Sequence, residues 1–207
     1  MRKSPKQRRS RELVERLLEA TAATLAERGL DDTTTNHIAE RAGVSIGSLY
    51  QYFPDKESLL EALMERVGEQ VTKVFRDRGA QLEFVEFDLK TVSKYVILFG
   101  ISMIKNDPLS LEIMKSWNQL PIDKLINPLE KFFLVMAQPY FIRHYQNYQI
   151  KDLEGKLYVL INSTLFTVVR YLLDGNDIIT ENKLADILSD MIVGLLERHA
   201  VEAATQS

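Results

Sequence analysis

Apolar residues recur along this chain at spacings of three and four, the period of an amphipathic helix. Leu13, Leu17, Leu18, Thr21 and Leu25 form one stripe and predict a helix from about Ser10 to Arg28. Gly29 supplies the residue past its end, and Leu30 can fold back on the last turn. Asp31-Asp32-Thr33-Thr34-Thr35 suits the cap of a short second helix, about Asn36 to Arg41, with Ile38 and Ala39 inward. Ala42-Gly43-Val44 reads as a tight turn, and Ser45 can cap a third helix through about Tyr52. Pro54-Asp55 ends that helix, and Asp55 caps a longer fourth one. Its predicted buried stripe is Leu59, Leu60, Leu63, Met64, Val67, Val71 and Val74. The remainder reads as helices over 82–106, 108–118, 122–147, 153–174 and 180–200. The segment 122–147 holds Pro128 and Pro139, so it is expected to be kinked or split. Alternating strand patterns between tight turns are scarce. The expected fold is all-α.

With 207 residues, 45% hydrophobic and 27% charged, the chain has the composition of an ordinary globular protein with a core of its own. It has no cysteine, which excludes disulfides, thiolate metal sites and a cysteine nucleophile. The longest nearly apolar run, Tyr95 to Ile104, is too short to span a bilayer, and no uninterrupted apolar stretch follows the basic start. A cytoplasmic location without membrane attachment is the expectation.

The net charge of −3 argues against indiscriminate nucleic-acid binding, but its distribution is uneven. Arg2, Lys3, Lys6, Arg8, Arg9 and Arg11 lie in a stretch without an acid, and residues 1–56 hold 10 basic and 8 acidic side chains. The body that follows is acidic. A basic arm of this kind fits a solvated tail, or a segment that seeks phosphate.

The enzyme class finds little support. His37, His144 and His199 are far apart, and no H-E-x-x-H spacing, Gly-rich phosphate loop or G-x-S-x-G elbow is present. Asp31-Asp32 is better read as a cap. Asn162-Ser163-Thr164 matches a glycosylation triplet but falls inside a predicted helix. No catalytic residue, metal ligand or cofactor is called for.

The most informative stretch is TTTNHIAERAGVSIGSLYQYFPDKE, residues 33–57. Two short helices joined by a three-residue turn with a Gly form a helix-turn-helix. Ile38, Ala39 and Val44 pack the pair, Ala42 is small at the crossing, Gly43 permits the turn, and Leu49 anchors the third helix. Ser45, Ile46, Gly47, Ser48, Gln51 and Tyr52 are left near the outer face or at a helix N-terminus, which favours phosphate. The joint pattern Ile38-Ala39-x-x-Ala42-Gly43-Val44-Ser45-x-Gly47-x-Leu49-Tyr50-x-Tyr52-Phe53-x-x-Lys56 resembles the DNA-binding domain of the TetR (tetracycline repressor) family over roughly residues 10–66.

The resemblance implies an N-terminal three-helix DNA-binding domain joined to a C-terminal helical domain that binds a ligand and dimerises. The corresponding division is 1–56 for the arm and helix-turn-helix, 57–80 for the connecting helix, and 81–207 for the effector and dimer part. It implies phosphate contacts from Thr35, Tyr50, Tyr52 and Lys56, and a major-groove face of Ser45, Ile46, Gly47, Ser48 and Gln51. Gln51 is suited to adenine and Ile46 to a thymine methyl. It implies a homodimer through 153–174 and 180–200, where Leu157, Leu160, Ile161, Thr164, Leu165, Val168, Val169, Leu172, Leu184, Ile187, Leu188, Met191, Ile192 and Leu195 serve either a dimer or a monomer core. A small apolar or aromatic effector is expected near Phe99, Met103, Trp117, Asn118, Phe133, Asn162, Phe166 and Thr167, although aromatic residues at helical spacing also suit a core. The expected function is a sequence-specific transcriptional regulator of duplex DNA, a repressor released from a palindromic operator by its effector. The alternatives are an activator of the same fold and a helical interaction module.

Overall fold

The computed structural model describes residues 5–81, 86–145, 152–174 and 179–196. All regular elements among them are helices: α1 (Pro5–Arg28), α2 (Thr35–Ala42), α3 (Ile46–Tyr50), α4 (Lys56–Gln81), α5 (Leu89–Lys105), α6 (Pro108–Lys115), α7 (Ile122–Tyr145), α8 (Leu153–Asp174) and α9 (Glu181–Leu196).

Caps explain most of the boundaries. The Asp55 carboxylate accepts from Ser58 N at 2.8 Å and starts α4. Asp107 accepts from Ser110 N at 2.9 Å, and Pro108 follows where its missing N–H costs nothing. Asp88 accepts from Thr91 N at 2.9 Å, so α5 begins well after the expected 82. Residues 82–85 and 197–200 of the expected helices lie outside the described residues, as do Gln149–Lys151 and Gly175–Asp177 of two expected breaks. The helix α1 starts at Pro5 rather than near Ser10, because no breaker lies between them and Arg8 pairs with Glu12 one turn on. The prolines of α7 do not split it: one helix runs from Ile122 to Tyr145. Pro128 removes a single internal bond, the one its N–H would have made to the Lys124 carbonyl.

The chain divides into two compact units: 1–68 with 106–125, and 69–105 with 126–207. The segment 106–125, expected with the C-terminal part, therefore packs with the N-terminal helices. In the first unit Leu17, Leu25, Ile38, Leu49, Leu59, Leu63, Met64 and Ile113 are fully buried. Thr21, Thr24 and Thr33 are buried with them, and each hydroxyl donates to the carbonyl four residues back at 2.6–2.7 Å. Arg66 of α4 reaches Glu15 at 3.2 Å and Glu19 at 3.5 Å on α1. Gly68 meets the start of α7 so closely that a Cβ there would lie 2.6 Å from the Leu125 carbonyl oxygen.

In the second unit, Leu89, Tyr140, Leu157, Leu160 and Leu196 form one core cluster. Ile97, Ile101, Val168, Leu184, Ala185 and Leu188 form another. Antiparallel α5 and α9 are laced outside by Lys90–Asp190 at 2.5 Å, Lys94–Asp186 at 2.7 Å and Lys105–Glu181 at 2.5 Å. The expected α4 stripe holds through Val67, but Val74 is exposed and Phe75 is buried instead. At 100° per residue, Val74 and Phe75 flank the Leu60-Met64-Val67-Val71 stripe equally on opposite sides, so periodicity alone does not choose between them.

By length and composition alone, α8 is apolar enough to cross a membrane, which the search for an unbroken apolar run missed. Its apolar side chains are divided between the core and an outer stripe. Leu157, Leu160, Val168 and Val169 are buried, while Tyr158, Val159, Phe166 and Leu173 are exposed. On α9, Leu184 and Leu188 are buried, and Ile187 and Met191 are exposed.

Candidate nucleic-acid interface

The helix pair is fixed by local chemistry. Thr34, in extended backbone, caps α2 by accepting from His37 N at 3.3 Å. The end of α2 is a paired turn: Gly43 N donates to Glu40 O at 3.1 Å and Val44 N to Ala39 O at 3.0 Å. Gly43 sits at φ 65, the left-handed region in which a side chain is strained. Ser45 then caps α3. Its hydroxyl accepts from Ser48 N at 3.1 Å and lies 2.8 Å from the Ser48 hydroxyl. The cap holds the side chains of Ser45 and Ser48 side by side at the start of α3.

Behind this face, Ile38 and Leu49 are fully buried and Phe53 nearly so. In front of it, Ser45, Ile46, Gly47, Tyr50, Gln51 and Tyr52 are exposed, while Thr35, Ser48 and Lys56 are half-buried. α3 ends two residues earlier than expected, so Gln51 caps it and Tyr52 follows it. The two tyrosines tie α3 to other elements. The Tyr50 hydroxyl lies 3.1 Å from Thr35 Oγ1 at the start of α2, and Ser10 Oγ donates to the Tyr52 hydroxyl at 3.2 Å. An open concavity beside Tyr52 is lined by residues of α1, among them Arg8, Arg9, Arg11 and Arg16 with Glu12, Glu15 and Glu19.

The nine expected contact residues thus fall on one stretch of the first unit, with one exception in their environment. The Lys56 ammonium donates to the Leu30 carbonyl at 2.6 Å, inside the protein. The sequence reading missed Ser10, whose place beside Tyr52 follows only once α1 is known to extend to Pro5. It also placed His37 on an exposed side. The residue is partly exposed there, with Nδ1 3.0 Å from the Asp32 carbonyl oxygen. Arg2 and Lys3 lie outside the described residues.

Glu27 on α1 and Arg41 on α2 form a two-pronged pair, Arg41 Nη1 donating to Glu27 Oε1 at 2.9 Å. Their hydrogen bond holds the Glu27 carboxyl below the usual carboxylate range and raises the Arg41 guanidinium. It links the first two helices on the side chains' solvent edge.

The expected effector residues are divided between the two units. Trp117 and Asn118 belong to the first unit, the others to the second. Phe99 and Phe133 join Phe75 in an aromatic cluster, with ring centroids 5.4 Å and 5.9 Å from that of Phe75. Tyr95 stacks on Phe99 at 6.0 Å, and Arg78 donates to the Tyr95 hydroxyl at 2.8 Å. Met103 is half-buried. Asn162 donates to Glu130 Oε1 at 2.9 Å. Phe166 and Thr167 are exposed, and the Thr167 hydroxyl donates to the Ser163 carbonyl at 2.7 Å.

The capped α2, the glycine turn and the capped, exposed α3 are the arrangement of a helix-turn-helix. Residues 17–63 match the profile of "Bacterial regulatory proteins, tetR family". Among curated relatives, the HTH-type transcriptional regulator BetI of Cronobacter sakazakii is 46% identical over 55 residues, 27% of each chain. The HTH-type transcriptional regulator PksA of Bacillus subtilis is 26% identical over 199 residues, 96% of this chain and 82% of its own. The solved structure of RolR in complex with resorcinol superposes with a TM-score of 0.64 at 20% identity, covering 97% of this chain and 96% of that one. The chain spans 58% of the nucleoid occlusion factor SlmA of Haemophilus ducreyi, to which it is 29% identical over 118 residues, and only 27% of BetI. The similarity to the TetR family is carried by residues 17–63, the N-terminal helices.

Proposed function

We propose that the protein is a sequence-specific transcriptional regulator that binds a palindromic operator in duplex DNA as a homodimer, acts as a repressor, and is released by a small apolar or aromatic effector. The observation that carries the reading is at Gly47. It is exposed at the start of α3, and a Cβ there would meet nothing nearer than Ser45 Oγ at 4.0 Å. Glycine in a helix costs about 0.5–1 kcal/mol relative to alanine, and nothing inside the fold requires it here. A partner that presses its surface onto the backbone does. Duplex DNA is that partner: Ser45, Ile46, Ser48 and Gln51 surround the gap with hydrogen-bonding and methyl-sized groups, and Thr35, Tyr50 and Tyr52 flank it with hydroxyls suited to phosphate. Arg8, Arg9, Arg11 and Arg16 of α1 line the concavity beside Tyr52 together with Glu12, Glu15 and Glu19, and Arg8 pairs with Glu12, so the arginines add a small positive balance there.

The homodimer is supported by the outer stripe of α8 and α9, where Tyr158, Val159, Phe166, Leu173, Ile187 and Met191 are exposed together. Gly194 is exposed beside them on α9, with nothing within 4 Å of a Cβ. A dimer suits half-sites about 34–36 Å apart. The effector reading is supported by the Phe75–Phe99–Phe133 cluster and by the binding of resorcinol to RolR, a protein of the same fold. Helix α4 carries residues of both units, so a ligand that prefers one position of that helix shifts the reading helices. The protein works without enzymatic turnover and in the cytoplasm. An activator would use the same interface, with the sign of regulation set by operator position.

The test is selection of bound sequences from a random duplex library with the full chain at moderate salt. An enriched inverted repeat is expected. A folded, dimeric chain that enriches no sequence would instead support an interaction module.

A further inference from the structure

We propose that Glu112 and Lys56 are positioning residues for DNA reading, which together clamp both backbone polar groups of Leu30 and so fix the turn from which α2 departs. The inference rests on the DNA-binding reading above. Leu30 N donates to Glu112 Oε1 at 3.1 Å, and Leu30 O accepts from Lys56 Nζ at 2.6 Å. The two partners come from α6 and α4, 82 and 26 residues away along the chain. Both bonds involve an ionised group, and such bonds are roughly twice as strong as neutral ones.

The clamp has the marks of a built arrangement. The Glu112 side chain is only 15% exposed, and Ser116 Oγ donates to the same Oε1 at 3.0 Å, which orients the carboxylate from its own helix. Gly29 makes room for it: a Cβ at that position would lie 3.3 Å from Glu112 Oε1, and its φ of +77 strains any side chain. From Leu30 the contacts continue toward DNA. Thr33 N donates to Leu30 O at 3.3 Å, and Thr33 Oγ1 to Gly29 O at 2.6 Å. Thr34 caps α2, and Thr35 meets the Tyr50 hydroxyl. All of these residues belong to the first unit. Releasing Leu30 frees the start of α2, and the Thr35–Tyr50 pair loses its register.

This gives Lys56 a different role from the phosphate contact expected of its place in the motif. A phosphate contact releases counterions, so removing it lowers the slope of log K against log salt by about 0.9. A positioning residue lowers affinity and leaves that slope alone.

The experiment compares the full chain with Lys56→Met, Glu112→Ala, Glu112→Gln and the Lys56→Met/Glu112→Ala double variant. Affinity for the selected duplex is measured across salt concentrations, and amide exchange is measured without DNA. Ten-fold or greater loss is expected in Lys56→Met and Glu112→Ala with unchanged salt slope. Glu112→Gln, which keeps an acceptor oxygen, recovers most of the affinity. The double variant is less than additive, because both side chains hold one residue. Exchange at 30–35 rises in Glu112→Ala while the buried part of α4 stays protected. A salt slope reduced by about one in Lys56→Met restores the phosphate role and overturns the proposal. So does a lowered melting temperature with unchanged affinity at a temperature where the variants are folded. A wild-type chain that binds no duplex overturns the DNA reading and the positioning role with it, while the exchange data still decide whether Glu112 holds the turn.

Discussion

At the scale of single residues, Gly47 separates stability from function. Nothing in the fold opposes a methyl group there, so Gly47→Ala should raise the melting temperature, by the equivalent of about 0.5–1 kcal/mol. The same methyl should lower affinity for the selected operator, read by fluorescence anisotropy. A variant that is stabler and binds as well would remove the main support for a close DNA approach. Thr34→Ala makes a contrasting case: loss of the α2 cap should cost about 1 kcal/mol of stability, measured by denaturant unfolding. The residues legible in the sequence were those whose roles are local. Ser45, Gly43 and Thr34 act within a few positions of themselves, so spacing alone finds them. The bond of Lys56 to Leu30 was not legible, and Glu112 was not seen at all, because their partner lies 26 and 82 residues away.

At the scale of helices, periodicity gave the right element type throughout the described residues, and the capping residue decided the ends. α8 matched its expected span of 153–174, while α5 began late because Asp88 binds Thr91 and stops the helix from extending back. The α5–α9 seam carries a pH signature. The Lys94 hydrogen bond chiefly holds Asp186 below its ordinary 3.8, and the Thr91 hydroxyl chiefly does so for Asp88. Their stabilising contribution is therefore complete above the unfolded aspartate value and is lost as pH falls through the lower folded one. Hydrogen bonds to Asp190 and Glu181 raise Lys90 and Lys105 above 10.5. Their contribution is complete below 10.5 and is lost as pH rises through the folded values. Thermal melting across pH should show both limbs. Asp186→Asn should flatten the acid limb and leave the alkaline one, and an unchanged acid limb would exclude Asp186 as a contributor.

At the scale of the whole molecule, the apolar stripe on α8 and α9 and the basic start of α1 make separate predictions. Phe166→Glu, at a side chain 59% exposed, should shift the chain toward monomer in size-exclusion chromatography with its helix content intact. A dimer that survives the charge would place the interface elsewhere. Replacing Arg8, Arg9 and Arg11 together by Gln should weaken binding to all duplexes and reduce the salt slope by about 0.9 for each phosphate no longer neutralised. The all-helical architecture was legible because every stripe has one period. The packing of residues 106–125 with the N-terminal helices was not, because a linear reading groups a segment with its neighbours in sequence. Composition likewise carries no information about which unit each aromatic side chain enters, and Trp117 lies in the first while Phe99 and Phe133 lie in the second.

That excursion of the chain bears on how such a protein can be taken apart. The DNA-reading unit is assembled from two stretches, 1–68 and 106–125, with α5 and the end of α4 spliced between them. A fragment cut at the linker would leave bare the surface of α1 that α6 covers, and would be without the carboxylate that holds Leu30. Transplanting this reading head onto a different sensor therefore means grafting a discontinuous module. Chimaeras that carry only the contiguous N-terminal piece should express as poorly folded proteins, and those that bring residues 106–125 with them should recover a cooperative unfolding transition.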